Sequence, residues 1–114
     1  KTLFSRVEFP RCDISLTDAE IINAFRKNLD TFISICQIHG VKPVLMTQAN
    51  RVTDDPLYQR LNQEIRDKQK AGITVIDLAR LIPASETYLY DPVHYTDAGS
   101  LLAANVITES LKNI

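Results

Sequence analysis

The chain has 114 residues, 45% of them hydrophobic and 24% charged, with 13 Lys and Arg against 14 Asp and Glu. That balance speaks against disorder and against a dedicated nucleic-acid binder, whose phosphate contacts call for a basic surface. Three glycines and five prolines exclude a collagen-like or low-complexity chain, and no apolar run approaches the ~20 residues that span a bilayer.

Residues 1–16 show no steady period, and Pro10 with the cluster Arg11-Cys12-Asp13 reads as a loop or an insertion. Thr17-Asp18-Ala19-Glu20 has the form of a capping box, in which hydroxyl and carboxylate each satisfy an orphan backbone donor. Beyond it Ile21, Ile22, Phe25, Leu29, Phe32, Ile33 and Cys36 recur on one helical face, with Arg26, Lys27 and Asp30 on the other. Gly40 supplies the stop, because glycine adopts the left-handed conformation without steric cost. His39 just before it suits the negative end of the helix dipole rather than catalysis.

A short apolar run, Val41 to Thr47, reads as a buried parallel strand with Pro43 near its start. The polar stretch Gln48 to Asp55 is then a loop at the strand's C-terminal end, where Asn50 and Arg51 either reach a substrate or are simply solvated. Asp55-Pro56 reads as an N-cap followed by proline at the first helical position; Leu57, Leu61 and Ile65 continue a helical stripe and Gly72 ends it. Ile73 to Ile76 is a second strand, closed by Asp77. Leu78 to Ile82 is apolar but short, and Pro83 interrupts it. The final helix begins at Thr96, with a buried stripe of Ala103, Val106, Ile107, Leu111 and Ile114.

Alternation of helix and strand predicts an α/β domain with a parallel sheet and helices on both faces. Two strands are too narrow for such a sheet, and the helices carry full apolar faces. The expectation is therefore a chain that supplies the C-terminal part of a larger doubly wound domain, its other strands coming from an N-terminal part. Cys12 and Cys36 stand outside any CxxC or Cys/His cluster, which points away from a metal site. A single bridge between them, and with it the compartment, stays open.

Chemistry concentrates in Tyr88-Leu89-Tyr90-Asp91-Pro92-Val93-His94-Tyr95-Thr96-Asp97-Ala98-Gly99. A carboxylate three residues before a histidine, in the loop entering a helix, can return to the imidazole and hold one ring nitrogen as a donor. The other nitrogen is then left to accept a proton. Loops at the C-terminal ends of parallel strands are also where open α/β sheets place their sites. Asp-x-x-His also arises by chance, and a histidine beside a helix start often only caps the turn. Asp77 is an alternative partner for the histidine, since it ends a strand on the same sheet edge. Ser5, Ser15, Ser34, Ser85, Ser100 and Ser110 all lack the strand–turn–helix setting of a nucleophile. Tyr88, Tyr90 and Tyr95 suit either a pocket wall or packing with the hydroxyl at the surface.

The block Asp91-Pro92-Val93-His94-Tyr95-Thr96-Asp97-Ala98-Gly99, followed by a closing helix, resembles the last block of the SGNH/GDSL hydrolases. Val44-Leu45-Met46-Thr47-Gln48 and Ile73-Thr74-Val75-Ile76-Asp77-Leu78 resemble strands of the same family in the same order, so the likeness runs from about Asp18 to Leu111. It implies a three-layer α/β/α, flavodoxin-like fold that is incomplete in this chain. The implied activity is that of a serine esterase, lipase or acylhydrolase acting on a lipid, an acetylated sugar or another small acyl compound. His94 would be the general base and Asp91 its orienting partner, and no metal or organic cofactor is implied. The Gly-Asp-Ser nucleophile block, the family glycine block and the Gly-x-Asn-Asp segment of the oxyanion hole have no counterpart here. The resemblance assigns them to the N-terminal part. Two other readings stand beside it. One is a catalytically inactive SGNH-like binding module; the other is an unrelated flavodoxin-like domain, for which a glycine-rich phosphate loop is wanting.

Overall fold

The computed structural model describes residues 15–114. The expected loop or insertion over 1–16 falls almost entirely outside them, as does Cys12, so the question of a Cys12–Cys36 bridge lies beyond the described residues. Cys36 itself is buried on the first helix.

That helix, α1, runs Asp18–Ile38, and the Thr17 hydroxyl at its N-cap accepts a hydrogen bond from the Glu20 N–H at 3.2 Å. Its C-terminus closes with paired backbone bonds around a left-handed Gly40 (φ 66°). The Gly40 N–H donates to the Gln37 carbonyl and the Val41 N–H to the Cys36 carbonyl. The chain is thereby turned straight into β1, Val44–Met46. Helix α2, Pro56–Asp67, is capped by the Asp55 carboxylate, which accepts from Leu57 and Tyr58 N–H, and a 3₁₀ turn over Lys68–Ala71 leads to a left-handed Gly72. Strand β2, Thr74–Ile76, lies parallel to β1, with Val44 opposite Thr74, Leu45 opposite Val75 and Met46 opposite Ile76. The short apolar segment after Asp77 is a single helical turn, α3, Leu78–Leu81, and the last helix, α4, spans Asp97–Leu111 behind an N-cap at Thr96.

Among the described residues the sheet has two strands, so the molecule is α/β with a parallel β1–α2–β2 unit at its centre. Strand alternation divides the core in two. Leu45 and Ile73 pack with Ile33 of α1 and Ile65 of α2, flanked by Phe25, Leu29 and Val75. Ile76 packs with Ala49, Leu78, Ile82 and Ala103 of α4, flanked by Val44, Tyr88, Tyr95 and Val106. The Arg26 guanidinium of α1 reaches the Glu64 carboxylate of α2 through two bonds of 2.9 and 2.6 Å, tying the helices on the first side.

The helical stripes are buried less completely than their periodicity predicts. Ile22, Ile33 and Cys36 are buried, whereas Phe32, Leu111 and Ile114 are exposed, together with Ile35 and Ile38 of α1. Ile114 also lies past the end of α4. The reason is geometric. Two strands spaced about 5 Å apart offer a ribbon no broader than one helix of about 10 Å diameter, so α1 buries only the narrow face carrying Ile22, Ile33 and Cys36 and leaves Phe32, Ile35 and Ile38 beside it uncovered.

Candidate functional site

Both strands end in polar residues that cross-link their outgoing loops. Thr47, 2% exposed, donates its hydroxyl to Asp77 Oδ1 at 2.8 Å and accepts the Ala79 N–H at 2.9 Å. Arg66 of α2 grips Asp77 with a bidentate pair of 2.8 and 3.0 Å, and Arg80 lies 3.4 Å away. Burial pushes the Asp77 carboxyl upward, but hydrogen bonds from Arg66 and Thr47 and the charges of Arg66 and Arg80 outweigh it. Its pKa therefore falls below the usual aspartate value. Asn62, 2% exposed, clasps the backbone of Gln48: its carbonyl oxygen accepts the Gln48 N–H at 2.9 Å and its amide donates to the Gln48 carbonyl at 3.0 Å. These polar residues hold the exit from β1 in place. Sequence periodicity gives no sign of them, because each stands where an apolar residue is expected or in a loop.

The Asp91–His94 segment stands beside that exit. Residues Tyr88 to Thr96 form a narrow hairpin-like loop: Tyr90 N–H donates to the His94 carbonyl at 3.1 Å, Leu89 bridges Tyr95 in antiparallel fashion, and Thr96 N–H donates to the Tyr88 carbonyl at 3.0 Å. Leu89, fully buried, anchors it. The Thr96 hydroxyl bonds the Thr87 carbonyl and accepts the Gly99 N–H, so the cap of α4 and the base of the loop are one structure. Gly99 is required there, since a Cβ at this position would fall inside the Tyr88 carbonyl oxygen.

Within this frame Asp91 Oδ1 accepts the Val93 and His94 N–H groups at 2.9 and 2.8 Å, and Oδ2 meets His94 Nδ1 at 2.7 Å. The Val93 N–H is the largest influence holding the Asp91 carboxyl below the usual aspartate range. Partial burial opposes it, and the His94 N–H and ring add to it. An ionised Asp91 makes Nδ1 the donor and leaves Nε2 as an acceptor that nothing hydrogen-bonds among the described residues. The His94 side chain is 64% exposed and that of Asp91 37%. The Tyr90 ring stacks on the imidazole, with centroids 5.8 Å apart and planes 15° from parallel.

The other residues singled out in the sequence fall elsewhere. Asp77 is taken up by Arg66 and Thr47, so the histidine's partner is Asp91. Tyr88 and Tyr95 pack against the α4 side of the core, unlike Tyr90. Asn50 accepts the Val52 N–H within its own loop. Arg51 is neither merely solvated nor at large: its N–H donates to the Pro92 carbonyl at 2.9 Å and its guanidinium to the Leu89 and Tyr90 carbonyls at 3.3 Å. His39 caps α1. Among the described residues no serine hydrogen-bonds His94, and Ser100 lies in the first turns of α4. A cavity of about 450 Å³ lies between α1, α2 and the end of β1, lined by Phe25, Met46, Tyr58 and Leu61 among others, and neither Asp91 nor His94 borders it. Among the described residues no helix is long and apolar enough to cross a membrane, and no group of three or more His, Cys, Asp or Glu side chains gathers as metal ligands would.

No protein-family model, curated protein or solved structure matches this chain.

Proposed function

We propose that this chain supplies the acid–base pair of a serine ester hydrolase of SGNH type, in which His94 is the general base and Asp91 its orienting partner. The observation that carries the reading is the Asp91–His94 unit: Nδ1 held at 2.7 Å by a carboxylate whose other oxygen is fixed by two backbone N–H groups, on a His94 side chain that is largely exposed and whose Nε2 has no hydrogen-bond partner among the described residues. Such a ring takes a proton from an alcohol at Nε2, and the carboxylate stabilises the imidazolium that forms. A serine hydroxyl would attack the carbonyl of an ester as His94 takes its proton. The protonated ring would then return it to the departing alcohol, and water would release the acid by the same steps.

The serine and the oxyanion donors would come from an N-terminal part of the same domain. Adding its strands to the β1–β2 pair would complete a three-layer α/β/α sheet of flavodoxin-like topology. The exposed Phe32, Ile35 and Ile38 of α1 are apolar surface that a wider sheet and its helices would cover. Substrates in keeping with the mechanism are lipid esters, acetylated sugars and other small acyl compounds, and no cofactor is needed for it.

The test is a fluorophosphonate serine probe applied to a polypeptide that extends upstream of Lys1. Labelling that is abolished by His94→Ala and by Asp91→Ala supports the reading. A folded, extended polypeptide that the probe leaves untouched, or one labelled equally in the His94→Ala variant, overturns it.

A further inference from the structure

Arg51 lies 40 residues from Asp91 in the sequence, yet it touches the loop on both sides of that residue. Its guanidinium Nη1 donates to the carbonyls of Leu89 and Tyr90, both at 3.3 Å, and its backbone N–H donates to the Pro92 carbonyl at 2.9 Å. The Tyr90 carbonyl belongs to the peptide that leads into Asp91, and the Pro92 carbonyl to the one that leads into Val93. Held at both, the Asp91 backbone cannot rotate without breaking a bond to Arg51. The Val93 and His94 N–H groups then meet Oδ1, and Oδ2 is delivered to the imidazole. The Glu86 carboxylate lies 3.8 Å from the same Nη1 but is largely exposed, so the carbonyls are the closer partners of the guanidinium. A charged donor on neutral carbonyls makes stronger bonds than a neutral one, which compensates for their length.

We infer that Arg51 is a positioning residue for the Asp91–His94 pair: the loop leaving β1 sets the ring of His94 through three carbonyls rather than by touching it. The inference rests on the proposed function for its catalytic meaning, but not for its geometry. That geometry is read out without any substrate, in the tautomer of the His94 ring.

In the chain labelled with ¹⁵N, long-range proton–nitrogen spectra at alkaline pH report which ring nitrogen carries the proton. The native ring is expected in the Nδ1–H form that faces Asp91. Arg51→Met keeps the side-chain length and the backbone bond to Pro92 but removes the guanidinium. It is expected to lower the ratio of Nδ1–H to Nε2–H by about fivefold, the scale of one lost hydrogen bond. Arg51→Lys restores part of the ratio, and Arg60→Met on α2 leaves it unchanged. A general contribution to stability would lower the melting temperature of Arg51→Met with the tautomer ratio intact, and that result overturns the inference. So does a ratio within twofold of native, a native ring without the Nδ1–H preference, or an Arg51→Met chain that loses its dispersed amide spectrum. A tautomer shift in a protein whose extended form the fluorophosphonate never labels keeps Arg51 as the positioning residue while removing the hydrolase reading. Labelling with no tautomer shift does the reverse.

Discussion

Asp77 and Asp91 are both aspartates at the C-terminal side of the sheet, both held below the ordinary pKa, and they are used in opposite ways. Asp77 is saturated by side chains, with Thr47 and Arg66 on its oxygens and Arg80 nearby, and every partner belongs to the frame. Asp91 is saturated on one oxygen by its own loop's backbone, so the second is committed to an imidazole whose far nitrogen has no hydrogen-bond partner among the described residues. A carboxylate surrounded by cations becomes a joint. A carboxylate anchored by main-chain N–H groups orients an imidazole while no guanidinium sits on its oxygens. The contrast extends to exposure: the Asp77 joint is largely sheltered and the His94 ring is not.

The comparison is broken most sharply at His94. On the hydrolase reading proposed above, His94→Ala in the extended polypeptide is expected to lower kcat by ~10²–10⁴-fold while leaving the free energy of unfolding in urea within about 0.5 kcal/mol of native, because the ring is exposed. Asp77→Ala should do the reverse. It strands Arg66 and the Thr47 hydroxyl, and it is expected to cost about 2–4 kcal/mol in urea unfolding of the chain. A stable Asp77→Ala protein would mean that the joint contributes nothing. Gly99→Ala tests the seat shared by α4 and the His94 loop. Its Cβ meets the Tyr88 carbonyl, so a loss of about 1–3 kcal/mol is expected, with shifts in the His94 ring resonances that Ala98→Gly does not produce.

The smallest effect is on pH. The folded-state pKa of Asp77 lies below its unfolded value near 3.8. The contribution of the joint is therefore fully present above that value and is lost as pH falls through the lower, folded one. Acid unfolding followed by circular dichroism should accordingly be shallower below pH 4 in Asp77→Asn than in the native chain. An unchanged slope would assign the acid sensitivity to other carboxylates, Glu64 beside Arg26 being the next candidate because its pKa is lowered too.

Much of the fold is legible locally. The Thr17 and Thr96 caps, the Asp55-Pro56 start, the stops at Gly40 and Gly72 and the two β-branched runs all fall within a few residues of their expected places, because each depends on the conformational preferences of its own residues. The Asp91–His94 contact is legible for the same reason, its partners being three residues apart. Arg51, Asn62 and the Thr47–Asp77–Arg66 joint are not. Their partners lie 11 to 41 residues away, and a polar side chain carries no periodic signal of which carbonyl or carboxylate it will meet.

Local preferences alone set the approximate starts and stops of the helices and strands and bring Asp91 within reach of His94, with Asp77 left as the alternative, since caps, glycines and a three-residue turn act within one or two turns of chain. It takes the packed fold to choose Asp91 over Asp77 as the partner of His94, to select which polar residues bind the loops together and which apolar stripes are covered, and to leave no room for a side chain at position 99. Those outcomes depend on how close distant segments come once the β1–β2 ribbon has packed between its helices, and distance of that kind is a property of the folded chain alone.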